Sequence, residues 1–172
     1  ITFTVNGTTN VSGTLLINSN TNAVKTFVGL VTINSGGTWT STLATTVSRV
    51  VFRGGIINNS ANTFSAGGAT FNTNAQNLGG TGLYSFTSVT VTGITLTNNR
   101  NLNVSTALAG TGNLTNSSSG IVALGGTCSV TTFTNAGTTN ISGSGAISTA
   151  LANFTNTGTL NLGGTGTFAG IT

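Results

Sequence analysis

The chain of 172 residues contains no Asp, Glu, His, Pro or Met, a single cysteine (Cys128), one Trp and one Tyr. Each absence excludes a chemistry. Without carboxylates there is no paired-acid hydrolysis and no carboxylate-bound calcium or magnesium. Without His or a cluster of Cys there is no ordinary zinc site, and neither a Ser-His-Asp nor a Cys-His arrangement can be assembled. A lone cysteine cannot close an internal disulfide, and in an apolar pattern it reads as a small buried hydrophobe. No apolar run reaches the ~18 residues of a membrane-spanning helix. The sequence therefore predicts a protein that is not an enzyme, takes no cofactor and does not insert in a membrane.

Charge is scarce. Lys25, Arg49, Arg53 and Arg100 are the only cationic side chains, so the pI near 10.9 reflects four cations without opposing anions. Arg49 and Arg53 are the closest approach to a cluster. Nucleic-acid binding needs clustered cations facing phosphates, and no nucleic-acid partner is expected.

What is present is Thr, Gly, Asn and Ser, together 104 of the 172 residues, alongside nine Phe and 37% hydrophobic residues. Disordered chains lack such aromatic and β-branched content. The apolar residues alternate, as in ITFTV, FVGLVTI and TSVTVTGITLT, and a period of two marks strands. Gly, Asn and Ser clusters between them supply turns.

Self-comparison reveals repeats. TFTNAGTTNISGSG (132–145) aligns with NFTNTGTLNLGGTG (153–166) at an offset of 21, placing Phe133 on Phe154, Asn140 on Asn161 and Ile141 on Leu162. GIVALGGTC (120–128) aligns with GTTNISGSG (137–145) at an offset of 17, with Cys128 on Gly145. GTTNVSG (7–13) nearly repeats GTTNISG (137–143), and NLGGTG occurs at 77–82 and 161–166. Looser units begin near Phe27, Phe52, Phe71, Phe86 and Leu102.

Units this short cannot form a sandwich layer alone. They predict an all-β fold: one domain over 1–172, a parallel β-solenoid (β-helix) of about eight rungs with a period near 21 residues. Inward positions carry Phe, Leu, Ile and Val, and outward ones Thr and Ser. Asn at corners is expected to stack in hydrogen-bonded ladders. Like charges stacked every ~4.8 Å would repel, which fits the missing carboxylates.

A solenoid has two open edges, which natural proteins cap or blunt. No cap is visible. If a second copy is placed after Thr172, the 21-residue period sets Phe3 on Phe154, Gly7 on Gly158, Asn10 on Asn161, Val11 on Leu162 and Gly13 on Gly164, without a gap. This match predicts that copies continue one another's solenoid: either copies of the chain are its partners, stacked head to tail into an open filament, or the 172 residues are one section of a tandem polymer. The residues expected at the self-assembly interface are Ile1, Phe3 and Val5 at one end and Leu162, Phe168 and Ile171 at the other.

The units FTNAGTTNISGSG, FTNTGTLNLGGTG and INSGGTWTSTLATTVSRVVFRGGIINN resemble the repeats of large secreted bacterial surface proteins, the autotransporter and filamentous-haemagglutinin-type adhesins. In style they are closest to Asn/Thr/Gly-rich solenoid repeats of secreted Bacteroidota proteins. The resemblance spans most of the chain and implies export, an extracellular or cell-surface location, and a structural or adhesive role. The function expected first is a structural subunit of an extracellular filament. The alternative is the shaft of a surface adhesin that binds glycans, with Trp39 or Tyr84 stacking on sugar.

Smaller signals carry less. GGTG at 79–82 and 163–166 lacks the lysine of a phosphate loop and reads as a solenoid corner. Thr90/Thr92 and Thr95/Thr97 form Thr-x-Thr pairs, but an ice-binding face would need that pair in successive rungs. Eight Asn-x-Ser/Thr sequons match what composition alone gives. Lys25 has nothing nearby in sequence to orient a substrate.

Overall fold

A computed structural model describes residues 1–17, 23–41, 50–143, 145–147, 151, 153–163 and 167–168. The described residues are strands and turns without helix, and every strand pairing is parallel. The chain winds as a β-solenoid with three faces. Face 1 runs from Phe3–Val5 to Thr167–Phe168, face 2 from Thr9–Val11 to Asn153–Asn156, and face 3 from Thr14–Ile17 to Thr159–Leu162. Face 2 is an eight-stranded sheet, one strand per rung, which agrees with the eight rungs expected.

Faces 1 and 3 are joined because Phe64–Asn72, Tyr84–Thr92 and Asn101–Ala109 run on across a corner. Their first halves pair within face 3 and their second halves within face 1. The interval between stacked residues ranges from 17 (Val122 to Thr139) to 25 (Lys25 to Val50). The drift is absorbed at corners, where an extra residue does not flip the alternation of the next strand.

The alternation delivers the core. On face 1, Phe27, Phe52 and Phe71 stack in one inward column, with ring centroids 5.8 and 5.3 Å apart and planes 20° and 24° from parallel. From face 3, Trp39 lies on Phe64 at 4.9 Å and against Phe27 at 5.0 Å. The inward column of face 2 reads Leu96, Leu114, Phe133, all fully buried, and then Phe154.

Asparagines form the expected ladder, but inside the solenoid. Asn98, Asn116, Asn135 and Asn156 stack on face 2, and the first three are fully buried. Each Nδ2 donates to the Oδ1 of the next, at 2.8, 2.7 and 2.6 Å. The same amides donate to corner carbonyls: Asn116 to Thr138 at 3.0 Å and Asn135 to Thr159 at 3.0 Å. A primary amide has two donors and a two-lone-pair acceptor, so it can bond along the stack and across the corner together. That lets a polar side chain occupy a dry position.

Two alignments shift. At an offset of 17 the strand Ile121–Leu124 does stack on Thr138–Ile141, but Cys128 then stacks on Ile147, not on Gly145. Two residues separate Leu124 from Thr127 but four separate Ile141 from Ala146, and those two additional residues supply the shift. In addition, GTTNVSG (7–13) lies on face 2 whereas GTTNISG (137–143) lies on face 3.

Candidate functional site

Outside the two edges, the residues singled out for chemistry are packed. Trp39 and Tyr84 are 0% and 1% exposed, so neither ring can stack on a sugar. That expectation is corrected by the register, which turns both side chains inward on face 3. The Tyr84 hydroxyl donates toward the Gly79 carbonyl at 2.6 Å and the Ile56 carbonyl at 3.0 Å, and accepts from the Asn58 amide at 3.0 Å.

Lys25 is buried in the inward column between Phe3 and Val50, and its Nζ donates to the Ala23 carbonyl at 2.7 Å. Arg49 lies outside the described residues, and Arg100 uses Nη2 to hold the Thr81 carbonyl at 2.7 Å. The pair Thr90/Thr92 sits on face 1 and Thr95/Thr97 on face 2. On face 2 the column Thr97, Thr115, Thr134, Thr155 is unbroken, but its neighbour alternates Thr95, Asn113, Thr132, Asn153. Successive rungs therefore do not repeat Thr-x-Thr there.

Burial pushes the Cys128 thiol up to about 12, and it pushes the Tyr84 hydroxyl well above the usual phenol range. Both raised values mean the folded chain holds these protons more tightly than the unfolded chain. Their contribution is complete below the unfolded pKa values and is lost as pH rises through and above them, by about 1.4 kcal/mol per pH unit and group. The chain has no Asp, Glu or His. Thermal melts are expected to be flat from pH 7 down to pH 2 and to fall above about pH 9. A steep loss of stability in acid would contradict this.

The remaining candidate site is the pair of open edges. At the first edge Ile1 is 93% exposed, and Phe3 is 38% exposed with its ring edge-on to Phe27 at 5.8 Å. Val5 is half-buried against the core. At the far edge Leu162 is 56% exposed, although Ile141, directly below it in the same column, is 1% exposed. Phe168 lies in the last strand of face 1, paired through its backbone with Ile147, and Ile171 lies outside the described residues.

Further apolar residues lie at the edges. Phe154 and Leu160 are half-buried at the far edge, and Leu15 is half-buried at the first. Asn156 ends the internal ladder there, with its Nδ2 turned to the Gly158 carbonyl at 3.2 Å. Period-two counting along each end strand identifies all of them. Among the described residues, the strands Phe3–Val5 and Thr159–Leu162 have parallel neighbours on one side only, and each carries an exposed apolar side chain, Phe3 or Leu162, in an inward column.

No family model, curated protein or solved structure matches the chain.

Proposed function

We propose that the chain is a structural, non-catalytic subunit of an extracellular filament in which copies stack head to tail through the open solenoid ends. One observation carries this reading: Leu162 occupies a core column yet is 56% exposed for want of one more rung. Phe3, at the opposite edge, is an apolar side chain in the same condition. Edge strands with free N–H and C=O groups are templates for pairing, and natural proteins blunt them when pairing is unwanted. Neither described edge carries a charged side chain on its outermost strands that would do so. Stacking would bury these side chains and extend all three faces, and a heterologous contact of this kind propagates.

Leu162→Asp tests the reading. The substitution lies at the surface of the free chain, so the fold should survive, while a carboxylate would be forced into a dry joint. The expected result is an unchanged melting curve with at least about a hundredfold rise in the concentration needed for assembly, corresponding to roughly 3 kcal/mol. Unaltered assembly of the variant would sink the proposal.

A second reading, the adhesin shaft, draws on a groove of about 350 Å³ on the outside of face 3. Exposed Leu83 and Ile121 flank Ser85, Asn101 and Asn103 there, a mixture of apolar and amide groups that suits a glycan. In that case the chain would stay monomeric and bind glycans, and Asn103→Ala would weaken the binding.

A further inference from the structure

The chain contains one Asn-Gly step, Asn6–Gly7, at the corner between Phe3–Val5 on face 1 and Thr9–Val11 on face 2. Every other asparagine precedes a residue that carries a side chain. Asn6 and Gly7 are both exposed, and no hydrogen bond joins either to another described residue. A Cβ on Gly7 would meet nothing within 4 Å. This openness belongs to the corner and not to the first rung. Gly29 and Gly54 stack above Gly7 in the next two rungs. Gly54 is exposed although the strand before it, Val50–Phe52, has neighbours on both sides. The N–H groups of Gly29 and Gly54 likewise donate to nothing among the described residues.

The asparagines of the internal ladder are held in the opposite condition. Asn98, Asn116 and Asn135 are fully buried, and their side-chain amides are bonded along the stack. The backbone N–H that follows each is tied to the rung below: Asn99 to the Leu78 carbonyl at 3.0 Å, Ser117 to Asn98 at 3.0 Å and Ala136 to Asn116 at 2.8 Å. Asn58 is also buried, and the N–H of Asn59 donates to the Ile33 carbonyl at 2.8 Å. With both groups engaged, the nitrogen after the asparagine is not free to approach the side-chain carbonyl carbon. At Asn6–Gly7 neither group is engaged, and glycine brings no Cβ to crowd the approach and adopts the widest range of backbone conformations.

We infer that Asn6 is a self-modification site, at which the folded chain converts this amide into a carboxylate with water as the sole co-reactant. The Gly7 backbone nitrogen gives its proton to solvent and attacks Cγ of Asn6. The Cγ–Nδ2 bond breaks, and the side-chain nitrogen leaves as ammonia with a proton from solvent. The cyclic imide that results is opened by water at either of its two carbonyl carbons. One opening restores the backbone and leaves an aspartyl residue, and the other leaves an isoaspartyl linkage. Nothing is oxidised or reduced, and the net change is one water consumed and one ammonia released. The product gives a chain without Asp or Glu its one carboxylate side chain and lowers the formal net charge of +4 by one. The inference is independent of assembly.

Purified chain held at mildly alkaline pH tests this. Cation exchange should resolve a growing species with one positive charge fewer, and peptide fragmentation should place its first amide-to-acid change at Asn6. An isoaspartyl methyltransferase should label that species. Gly7→Ala fills open space, so its melting curve should match that of the parent chain. The added methyl group crowds the attack and is expected to slow the conversion at least about tenfold. Asn6→Gln should remove this first product. In chain unfolded by urea, Asn98, Asn116 and Asn135 should convert faster than in folded chain, because their amides and the N–H groups after them are released. Acid appearing first at any other asparagine of the folded chain would overturn the inference, as would a Gly7→Ala variant that converts as fast as the parent.

Discussion

Asn116→Asp is expected to destabilise the chain by roughly 3–5 kcal/mol at pH 7, among the largest effects of any near-isosteric change in this molecule. Asn116 is fully buried, and its Nδ2 faces Asn135 Oδ1 at 2.7 Å, the Thr138 carbonyl at 3.0 Å and the Gly120 carbonyl at 3.2 Å. A carboxylate would turn a second oxygen toward three acceptors. The sequence offers no carboxylate-compensating cation among the ladder residues. The deficit also acquires a pH dependence that the parent chain lacks. Burial raises the folded pKa of the introduced carboxyl above its unfolded value near 4. The folded form therefore binds its proton more tightly, so the loss is smallest below about pH 4 and grows as pH rises. Denaturant titrations at pH 3 and pH 7 measure the difference. A variant equally stable at both would show that the ladder does not depend on amide donors.

Trp39→Ala is expected to cost about 3–5 kcal/mol through lost burial and an unfilled cavity. The indole is fully buried and touches the rings of Phe27, Phe64 and Phe52 at centroid distances of 5.0, 4.9 and 5.8 Å. It joins the aromatic columns of faces 1 and 3, so truncation loosens both. Trp39→Phe should cost far less, under about 1.5 kcal/mol, because Trp39 Nε1 has no acceptor among the described residues and its removal leaves no partner stranded. Urea titration of the two variants checks the ordering. Equal losses would mean that the indole N–H, and not ring volume, matters at this site.

The repeat arithmetic made the solenoid legible because its strands alternate strictly and its stacked residues are similar. Phe133 over Phe154 and Ile141 over Leu162 are visible as letters and recur as pairs in register. Cys128 stacks two positions away from the expected Gly145 because the corner after Ile141 is two residues longer than the one after Leu124, which leaves the alternation undisturbed. The three faces were not legible. Strands on faces 2 and 3 share the same vocabulary, so GTTNVSG and GTTNISG look equivalent while lying on different faces.

Amides ordinarily seek water, so the sequence places the asparagine ladder at the corners. Here the ladder supplies each amide with its partners, and three of the four could move inside. The edge residues were partly legible. Phe3 and Leu162 follow from the end match, whereas Phe154 and Leu160 follow from counting the period of two along the last described strands of faces 2 and 3. Trp39 and Tyr84 are open in the sequence to packing or to sugar stacking, because a single aromatic in a polar stretch carries no sign of which way the strand turns it, and the register decides for packing.

The most direct test of the account is electron microscopy of the purified chain over a range of concentrations, with mass analysis of any fibres under denaturing conditions. Head-to-tail stacking predicts uniform thin filaments, one solenoid wide, that dissociate to chains of 16.9 kDa. Short monomeric rods at every concentration would contradict it.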